Sequence, residues 1–351
     1  MIHGGDIYRN IVEYDFSVNT NFLSLPKEIS NAIVSAIPKI SEYPDIECEK
    51  LRRNLSMKYN VSYERVLCGN GASDIFMALV HGLKPKKAML LVPSFYGYEH
   101  CLNAINCEIE RVNLERKTLF SVNDKVLDRL EKSDSDLFFL TNPNNPTGQS
   151  VPIPFLKKVI AICKRKNIVL VLDECFSYFL KNEEEYNSFL EKENFRGLIR
   201  IRAYTKIFAI PGIRLGYAIF YSDDFVAKVR RQFSEWNVST FAQDVGIAAF
   251  NQEKYLIETK IEIEKNREYL IKNLLMVKNE LERIKDLVVF PSEANFILVY
   301  TRFDLYNFLL NKRILIRNCN NFSGLGNNYY RIAVKSKEDI NVLIKALMSE
   351  V

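Results

Sequence analysis

The sequence predicts an α/β protein in which helices sandwich a mostly parallel central sheet, followed by a smaller α+β domain. Three observations predict this fold class: the length of 351 residues, the alternation of short apolar runs with helical stretches up to residue 250, and a different pattern beyond it. Domains usually have about 100–200 residues, so the length favours two of them. We predict an N-terminal arm over 1–40 that joins the small domain, a large ligand-binding domain over 41–250 and the small domain over 251–351.

The composition is that of an ordinary globular protein and excludes several classes of function. Hydrophobic residues make up 48% and charged residues 26%, and the formal charge of +5 is not concentrated in a basic block. We therefore expect no nucleic-acid partner. The longest aliphatic run, 168–172, is far below the ~18 residues of a membrane span, so we expect no membrane partner.

The cysteines and the N-terminus also limit the function. The seven cysteines form no CxxC pair and the chain has three histidines, so we expect no metal site. The first residues show neither the basic nor the apolar region of a secretory signal, and we expect a cytoplasmic protein.

Buried strands and helices alternate in the large domain. A strand covered on both faces is apolar throughout, whereas amphipathic helices cover the sheet. The predicted strands are 88–92, 136–140 and 168–172, and the predicted helices are 73–83, 96–106 and 153–166. This order indicates parallel strands joined by helical crossovers.

The pattern changes at about residue 252 to a long amphipathic stretch. Apolar residues at spacings of three and four predict one helical stripe, which we interpret as a helix packing two domains rather than a coiled-coil surface. The residues of this stripe are Leu270, Leu274, Val277, Leu281 and Ile284. Strands are predicted at 287–290, 295–300, 314–317 and 329–334, and a last helix begins after Ser336.

Polar or glycine-rich segments border the predicted strands, where open parallel sheets bind their ligands. The segment 68–74 (CGNGASD) precedes a helix, and its small residues and free N–H groups suit a phosphate, although a plain tight turn explains it equally well. The loop 142–148 (NPNNPTG) is stiffened by two prolines, and its asparagines can aim amide donors.

Two ionisable residues follow apolar segments. Asp173 closes the most apolar strand, where an ionised carboxylate needs a cationic partner or a proton; a helix cap or a surface acid is the alternative. Lys206 precedes Arg214 by eight residues, mostly apolar, and a desolvated lysine can form a Schiff base with a carbonyl compound. Glu108, Glu110 and the acidic run at 183–185 are expected to be solvated surface.

Taken in order, the segments GNGASD, PSFYGYE, NPNNPTG, LDE and TKxxxxPGxRxGY resemble the motif series of fold-type-I pyridoxal-phosphate (PLP) enzymes, the class I/II aminotransferase superfamily. The resemblance spans almost the whole chain. It implies the PLP-dependent transferase fold type I, PLP as the cofactor and a large PLP-binding domain. It also implies that Lys206 is the catalytic residue that binds the cofactor covalently, and that Asp173 pairs with the pyridine nitrogen.

The resemblance implies further contacts to the cofactor. Asn145 would bond the ring hydroxyl oxygen, Phe95 would stack on the ring, and Phe176 would lie beside it. The residues implied to hold the phosphate are Gly71, Ala72, Ser73, Thr205 and Arg214. Ala203 stands where the family usually has serine, so Thr205 is expected to supply the missing hydroxyl. Tyr43 is implied to reach the partner's cofactor phosphate, which implies a homodimer with shared sites.

Other segments resemble the threonine-phosphate decarboxylases of this superfamily: His3-Gly4-Gly5, the stretch 15–19, Phe176 and the stretch 314–325. By this resemblance Arg317, Arg331, His3 and Asn19 bind a small phosphorylated amino-acid substrate. Two arginines suit a substrate with both carboxylate and phosphate, because each can make a bidentate contact. The implied reaction is decarboxylation of L-threonine O-3-phosphate to (R)-1-amino-2-propanol O-2-phosphate, a lyase step of cobalamin side-chain synthesis.

Several alternatives stay open at this point. Histidinol-phosphate aminotransferases are similar but commonly have tyrosine at the position of Phe176, and orientation of the bond at the substrate Cα decides between the two reactions. A PLP-binding transcriptional regulator is a more distant alternative function, since the segment 1–40 is too short for an added DNA-binding domain. His3 is alternatively a frayed terminal residue and Arg317 a structural salt-bridge partner. Asn21 lacks the proline and glycine that follow it in the family pattern, so the shape of its loop is not predicted.

Overall fold

The computed structural model describes residues 4–193 and 195–349. The strands are β1 (Tyr14–Asp15), β2 (Val66–Gly69), β3 (Lys87–Val92), β4 (Glu108–Asn113), β5 (Leu137–Thr141), β6 (Val169–Asp173), β7 (Leu198–Ala203), β8 (Gly216–Phe220), β9 (Val288–Val289), β10 (Phe296–Tyr300), β11 (Ile314–Leu315), β12 (Arg317–Asn318) and β13 (Tyr329–Ala333). The α-helices are α1 (Lys27–Ala36), α2 (Glu49–Lys58), α3 (Ala72–Leu83), α4 (Gly97–Ala104), α5 (Asp124–Lys132), α6 (Ile153–Lys166), α7 (Glu183–Lys192), α8 (Asp223–Arg230), α9 (Thr240–Ala249), α10 (Glu253–Glu280), α11 (Leu305–Asn311) and α12 (Lys337–Met348).

Within the described residues, seven strands form a central sheet in the order β2-β8-β7-β6-β5-β3-β4. The run from β4 through β3, β5 and β6 to β7 is parallel, whereas β8 is antiparallel to both β7 and β2. The predicted strands and helices of this region are confirmed, with ends shifted by one or two residues. The predicted mostly parallel sheet is therefore confirmed.

Alternate residues of the central strands pack into two different apolar clusters. Leu170 and Leu172 of β6 belong to the cluster on one face of the sheet, and Val171 between them belongs to the cluster on the other. Side chains of a strand point alternately to its two faces, so a strand buried on both sides is apolar at every position. Helices cover both faces of the sheet, so a binding site can form at the carboxyl ends of the strands.

Local signals fix the ends of the crossover helix α6. It begins after Pro152, which occupies its N-cap, and ends before Asn167, whose φ of 57° lies in the left-handed region. Asparagine tolerates this conformation better than most residues and commonly ends helices. The prediction of a helix over 153–166 is confirmed.

The long helix α10 ends earlier than the apolar spacing predicts. Leu281 is extended, with φ −117° and ψ 113°, and Ile284 lies in a short 3-10 turn that follows. The prediction of one continuous helical stripe as far as Ile284 was wrong. The 3-10 turn places Ile284 in the buried core. A spacing of three or four between apolar residues therefore continues past the end of the helix.

The C-terminal region contains a second sheet of order β12-β13-β10-β9 within the described residues. The strand predicted at 314–317 is in fact two strands, because β11 pairs with β1 and β12 pairs with β13. The β1–β11 pair joins the N-terminal segment to this region, while α1 packs on α9. The predicted domain bounds stay a prediction. No helix in the described ranges has the length and apolar character needed to cross a bilayer.

Candidate active site

A cavity of about 240 Å³ lies at the carboxyl ends of neighbouring parallel strands. Thr141, Asp173 and Ala203, the last residues of β5, β6 and β7, stand in its wall. Open parallel sheets bind their ligands in the crevice at the carboxyl ends of their strands. Most residues predicted from the sequence meet here: Asn19, Gly71, Ala72, Ser73, Phe95, Asn145, Asp173, Phe176, Thr205, Lys206, Arg214, Arg317 and Arg331.

One predicted site residue of the described chain is not in this wall. Tyr43 is 78% exposed and its ring packs on that of Trp236, with centroids 4.4 Å apart. An exposed tyrosine outside its own cavity is compatible with the predicted reach into a partner subunit, which stays a prediction. His3 lies outside the described residues.

Asp173 is a buried acid with a defined set of hydrogen bonds. It is 5% exposed, which overturns the alternative of a surface acid. Its Oδ1 accepts the backbone N–H of Cys175 at 2.9 Å, and its Oδ2 accepts the hydroxyl of Tyr98. Burial raises the pKa of Asp173, and the hydrogen bonds from Tyr98 and Cys175 oppose that rise. The free face of the carboxylate can pair with a cationic group in the cavity.

Lys206 brings an unusually acidic ammonium group into the cavity. Burial, followed by the positive charge of Arg331, lowers the pKa of Lys206 to about 8. Its amine is therefore partly neutral near pH 8, and a neutral amine is the nucleophile that attacks a carbonyl group.

The loop of Lys206 is held by Asn21. The backbone carbonyl of Lys206 accepts the Asn21 N–H at 2.9 Å. The Asn21 side chain donates to the carbonyl of Ile207 at 2.9 Å and to Thr259 Oγ1 on α10 at 3.0 Å. Asn21 thus ties the N-terminal segment, the lysine loop and α10 together, although the residues after it depart from the family pattern.

The start of α3 forms an anion cradle with Arg214. Gly71 has a φ of +86°, and a Cβ there would lie 2.6 Å from Arg214 Nη2. A Cβ on Gly216 would lie 2.6 Å from the backbone nitrogen of Ala72. Both glycines allow the guanidinium and β8 to approach the free N–H groups of the first helical turn, where a phosphate is stabilised. The two interpretations of this segment are therefore compatible, and the phosphate site stays a prediction.

Two buried arginines face each other across β12 and β13. Arg317 and Arg331 are register partners and are 4% and 7% exposed. Arg331 donates to Asn145 Oδ1 at 2.5 Å and to the Ser17 carbonyl at 3.0 Å. Burial lowers the pKa of Arg331 to about 10 and also lowers that of Arg317.

The hydrogen-bond partners of both arginines are neutral. Arg317 donates to the Asn318 carbonyl and to Asn321 Oδ1, both at 2.7 Å. Among residues 4–193 and 195–349 no carboxylate forms an ion pair with either guanidinium, so the structural salt-bridge alternative for Arg317 is wrong. The charge of Asp15 acts on Arg331, but within the described residues neither guanidinium has a carboxylate at ion-pair distance, and this arrangement favours an anionic ligand.

Further wall residues were missed by sequence reasoning. Gly5 donates its N–H to Ser17 Oγ at 2.7 Å, which brings Gly4 and Ser17 into the wall. Phe322 also lines the cavity, 5.3 Å from the Arg317 guanidinium. These residues belong to the segments 3–5, 15–19 and 314–325, which resemble those of threonine-phosphate decarboxylases. The contacts between the segments depend on tertiary structure and could not be predicted. Thr141, Cys175, Val18, Phe76 and Tyr96 complete the wall.

Phe176 presents an apolar face to the cavity. It is buried and packs edge-on against Phe296, with ring centroids 5.1 Å apart. Phe176 has no hydroxyl, and Asn145 is a polar residue of the same wall. The bond of Asn145 to a ring oxygen of the cofactor stays a prediction.

Buried ion pairs lie next to the carboxyl ends of β6 and β7. Arg200 and Glu174 are fully buried and form a bidentate pair at 2.7 and 3.0 Å. Arg202 pairs with Glu183 at 2.8 Å. The expectation of solvated surface was wrong for Glu183, because a buried guanidinium on β7 needs a carboxylate. It was also wrong for Glu110, which is 8% exposed and pairs with Arg129.

Known proteins match almost the whole chain. The sequence pattern of the family described as "Aminotransferase class I and II" matches residues 11–347. The threonine-phosphate decarboxylase of Salmonella typhimurium is 34% identical over 336 residues, which cover 95% of this chain and 90% of that protein. The structure of the histidinol-phosphate aminotransferase from Clostridium acetobutylicum has a TM-score of 0.84 at 29% identity and covers 95% of this chain and 98% of that one.

A third protein shares the fold at lower identity. The histidinol-phosphate aminotransferase from Sinorhizobium meliloti, solved in complex with pyridoxal-5'-phosphate, has a TM-score of 0.81 at 18% identity and covers 97% of this chain and 91% of that one. The predicted fold type I is confirmed by these structures. Since the family pattern spans nearly every described element, the chain belongs to the aminotransferase class I and II family.

Proposed function

We propose that this enzyme is a PLP-dependent lyase that decarboxylates L-threonine O-3-phosphate to (R)-1-amino-2-propanol O-2-phosphate, as in cobalamin side-chain synthesis. The observation that carries the proposal is the pair of buried arginines, Arg317 and Arg331, in the same cavity wall as Lys206 and Asp173. The substrate brings a phosphate and a carboxylate, and two guanidinium groups without carboxylate partners can bind both. The similarity to the Salmonella typhimurium enzyme supports the same reaction.

The cavity has the groups that PLP requires. The cradle between Gly71 and Arg214 fits the phosphate, the buried Asp173 fits a protonated ring nitrogen, and Lys206 fits the aldehyde. The residues that would hold the cofactor are Gly71, Ala72, Ser73, Phe95, Asn145, Asp173, Phe176, Thr205, Lys206 and Arg214. When bound, PLP supplies an electron-withdrawing ring that accepts the electron pair of a bond broken at the substrate Cα.

The protein side chains orient the substrate and move its protons. Lys206 binds the cofactor and then delivers a proton to Cα, because its lowered pKa lets it gain and lose one near neutral pH. Asp173 holds the proton on the ring nitrogen. Arg317 and Arg331 fix the anionic groups of the substrate, and the aromatic walls at Phe95 and Phe176 keep water from the reacting carbon.

Orientation of the substrate carboxylate decides the reaction. Arg317 and Arg331 would set the direction of the carboxylate, and if they aligned the Cα–carboxylate bond with the electron-withdrawing ring that PLP would supply, the carboxylate would leave as carbon dioxide and Cα would take up a proton. Asn19 can supply a further polar contact to a donor such as the substrate amino group, since its buried Oδ1 accepts hydrogen bonds and has no partner among the described residues. Decarboxylation needs only the amino group, the phosphate and this orientation of the carboxylate.

The test is an assay of the PLP-loaded protein with L-threonine phosphate, L-serine phosphate, and histidinol phosphate plus 2-oxoglutarate. Carbon dioxide and glutamate are measured separately. We expect carbon dioxide from threonine phosphate and little from unphosphorylated threonine, which lacks one of the two anionic groups. Glutamate formation without carbon dioxide would contradict the decarboxylase and favour an aminotransferase of the histidinol-phosphate kind, which the similarity to the Clostridium acetobutylicum structure also supports.

We further propose a cytoplasmic homodimer with shared sites. Large apolar side chains are exposed in succession from α1 to the start of α2, an arrangement typical of a protein–protein surface. These side chains are Val34, Ile37, Ile40, Tyr43 and Ile46, with Trp236 beside Tyr43. In the dimer Tyr43 would reach the cofactor phosphate of the partner subunit. The seven free cysteines are compatible with a reducing cytoplasm.

A further inference from the structure

The phenol of Tyr98 has no role so far, although it contacts the carboxylate of Asp173. Tyr98 lies in the first turn of α4 and is 1% exposed. Its hydroxyl donates to Asp173 Oδ2 and lies 2.9 Å from Thr141 Oγ1 at the end of β5. Its ring is stacked on Phe139 with centroids 4.8 Å apart, and the edge of Phe95 packs against it. The phenol is therefore fixed in both position and direction.

The chemistry of the three groups sets the order of the hydrogen bonds. An ionised carboxylate only accepts, so Tyr98 must donate to Asp173. The Tyr98 oxygen then accepts from the Thr141 hydroxyl, which gives a chain from Thr141 through Tyr98 to Asp173. Each donor in such a chain strengthens the next one.

The remaining groups that face Asp173 act in both directions. The backbone N–H and the thiol of Cys175 hydrogen-bond to it and favour its ionised form, whereas the adjacent charge of Glu174 opposes ionisation. Burial is the largest influence and raises the pKa of Asp173. Loss of the hydrogen bond from Tyr98 would therefore favour the protonated form of Asp173.

We propose that Tyr98 is a positioning residue that keeps Asp173 ionised and aimed at the cofactor ring, so that the ring nitrogen stays protonated. This inference rests on the proposed function, because it assumes that Asp173 meets PLP. Tyr98 itself does not line the cavity and acts through Asp173. Its phenol thereby sets how strongly the bound ring draws electrons.

The test compares two tyrosine variants of the PLP-loaded protein. Tyr98→Phe removes the hydrogen bond to Asp173 and keeps the ring. Tyr59→Phe is the matched control, since Tyr59 is equally buried and loses a phenol hydrogen bond to Tyr217 of 2.7 Å, away from Asp173. The PLP dissociation constant is measured by equilibrium dialysis, and the visible absorption of the bound cofactor is titrated with pH.

We expect Tyr98→Phe to weaken PLP binding about tenfold, as is typical for loss of a buried hydrogen bond to a charged group. The midpoint of the absorption titration should rise by roughly half a pH unit or more, because an unprotonated ring withdraws fewer electrons from the Lys206 nitrogen. Tyr59→Phe should change neither quantity. A titration of Tyr98→Phe that coincides with the parent protein would overturn the inference.

Two further measurements separate a failure of the Tyr98 inference from misfolding of the variant and from a failure of the proposed reaction. If Tyr98→Phe does not fold, Thr141→Val removes the donor to Tyr98, and a smaller rise of the same midpoint is expected; an unchanged midpoint counts against the inference. The parent protein is also assayed for carbon dioxide release from threonine phosphate. If it binds PLP but releases none, the proposed reaction fails, whereas the Tyr98 titration still decides the inference.

Discussion

At the residue scale, the reactivity of Lys206 comes from its surroundings. Burial lowers its pKa to about 8, and the nearby guanidinium of Arg331 acts in the same direction. An exposed lysine, with a pKa of about 10.4, would be almost fully protonated at neutral pH. The same burial destabilises the fold while the amine is charged, so chemical readiness and stability oppose each other at this position.

We predict that Lys206→Met stabilises the cofactor-free protein and abolishes turnover. The folded pKa is lower than the unfolded one, so burying the charge costs stability below about pH 8. Between there and the unfolded pKa the unfolded chain binds the extra proton, and the parent protein gains stability as pH rises. We expect the variant to be about 1–3 kcal/mol more stable at pH 7. Denaturant titrations at pH 7 and pH 10 measure this, and an advantage that does not shrink at pH 10 contradicts it.

We predict that Phe176→Tyr is tolerated structurally and shifts the reaction. The added hydroxyl would face the cavity beside the cofactor ring, because Phe176 stands in its wall and packs on Phe296. We expect a change in unfolding free energy below about 1 kcal/mol and a gain of transamination beside decarboxylation. Glutamate formation with 2-oxoglutarate measures the gain. A variant with unaltered product ratios would argue that this position does not sort the two reactions.

At the scale of elements, the active site depends on the alignment of the carboxyl ends of β6 and β7. Asp173 pairs with Ile201, and Lys206 lies three residues after Ala203, the last residue of β7. The buried pair of Glu174 with Arg200 joins the end of β6 to the middle of β7. A charge pair inside the protein stabilises little by itself, but removing one partner leaves the other charge unpaired. This pair therefore fixes the alignment of the strands that carry Asp173 and Lys206.

We predict that Glu174→Gln destabilises the protein by about 3–5 kcal/mol, because it leaves the Arg200 guanidinium buried without a counter-charge. Asp223→Asn is the matched control, since it breaks the surface pair with Arg65, in which Asp223 is 73% exposed. Its cost should stay below about 1 kcal/mol. Urea unfolding measures both, and equal losses in the two variants would contradict a special role for the buried pair.

At the scale of the whole molecule, the exposed apolar row between α1 and α2 and the exposed Tyr43 favour an assembly in which each subunit completes the site of its partner. Lys206, Asp173 and the two arginines come from one chain, so the contribution predicted for the partner subunit is the contact of Tyr43 with the cofactor phosphate.

We predict that a hybrid dimer restores activity from two weak homodimers. Lys206→Ala removes the amine from its own site, whereas Tyr43→Ala removes a contact from the partner's site. A hybrid of the two variants contains one site with both residues intact and one site that lacks both. After random exchange of an equal mixture half of the dimers are hybrids, so about a quarter of all sites should regain activity. Carbon dioxide release after mixing and exchange of subunits measures this. A mixture that stays at the sum of its components contradicts shared sites.

The residues of the site could be predicted to different extents. Asp173 and the phosphate cradle were visible because a charged or glycine-rich segment ends an apolar run, and such signals are local. The contact between Tyr98 and Asp173 links residues 75 positions apart, and the bonds of Asn21 reach α10 across 238 positions. The burial of Glu183 was missed for the same reason, since its guanidinium partner lies on another element.

The sequence by itself determined the fold class, the order of strands and helices, and the identity of the groups that can carry chemistry, because periodicity and motif spacing are properties of neighbouring residues. Tertiary structure alone decided that Arg317 and Arg331 are neighbours without a carboxylate, where α10 ends, and which hydrogen bonds hold Asp173. These depend on strand register and on the burial of charge, which arise only when distant segments pack together.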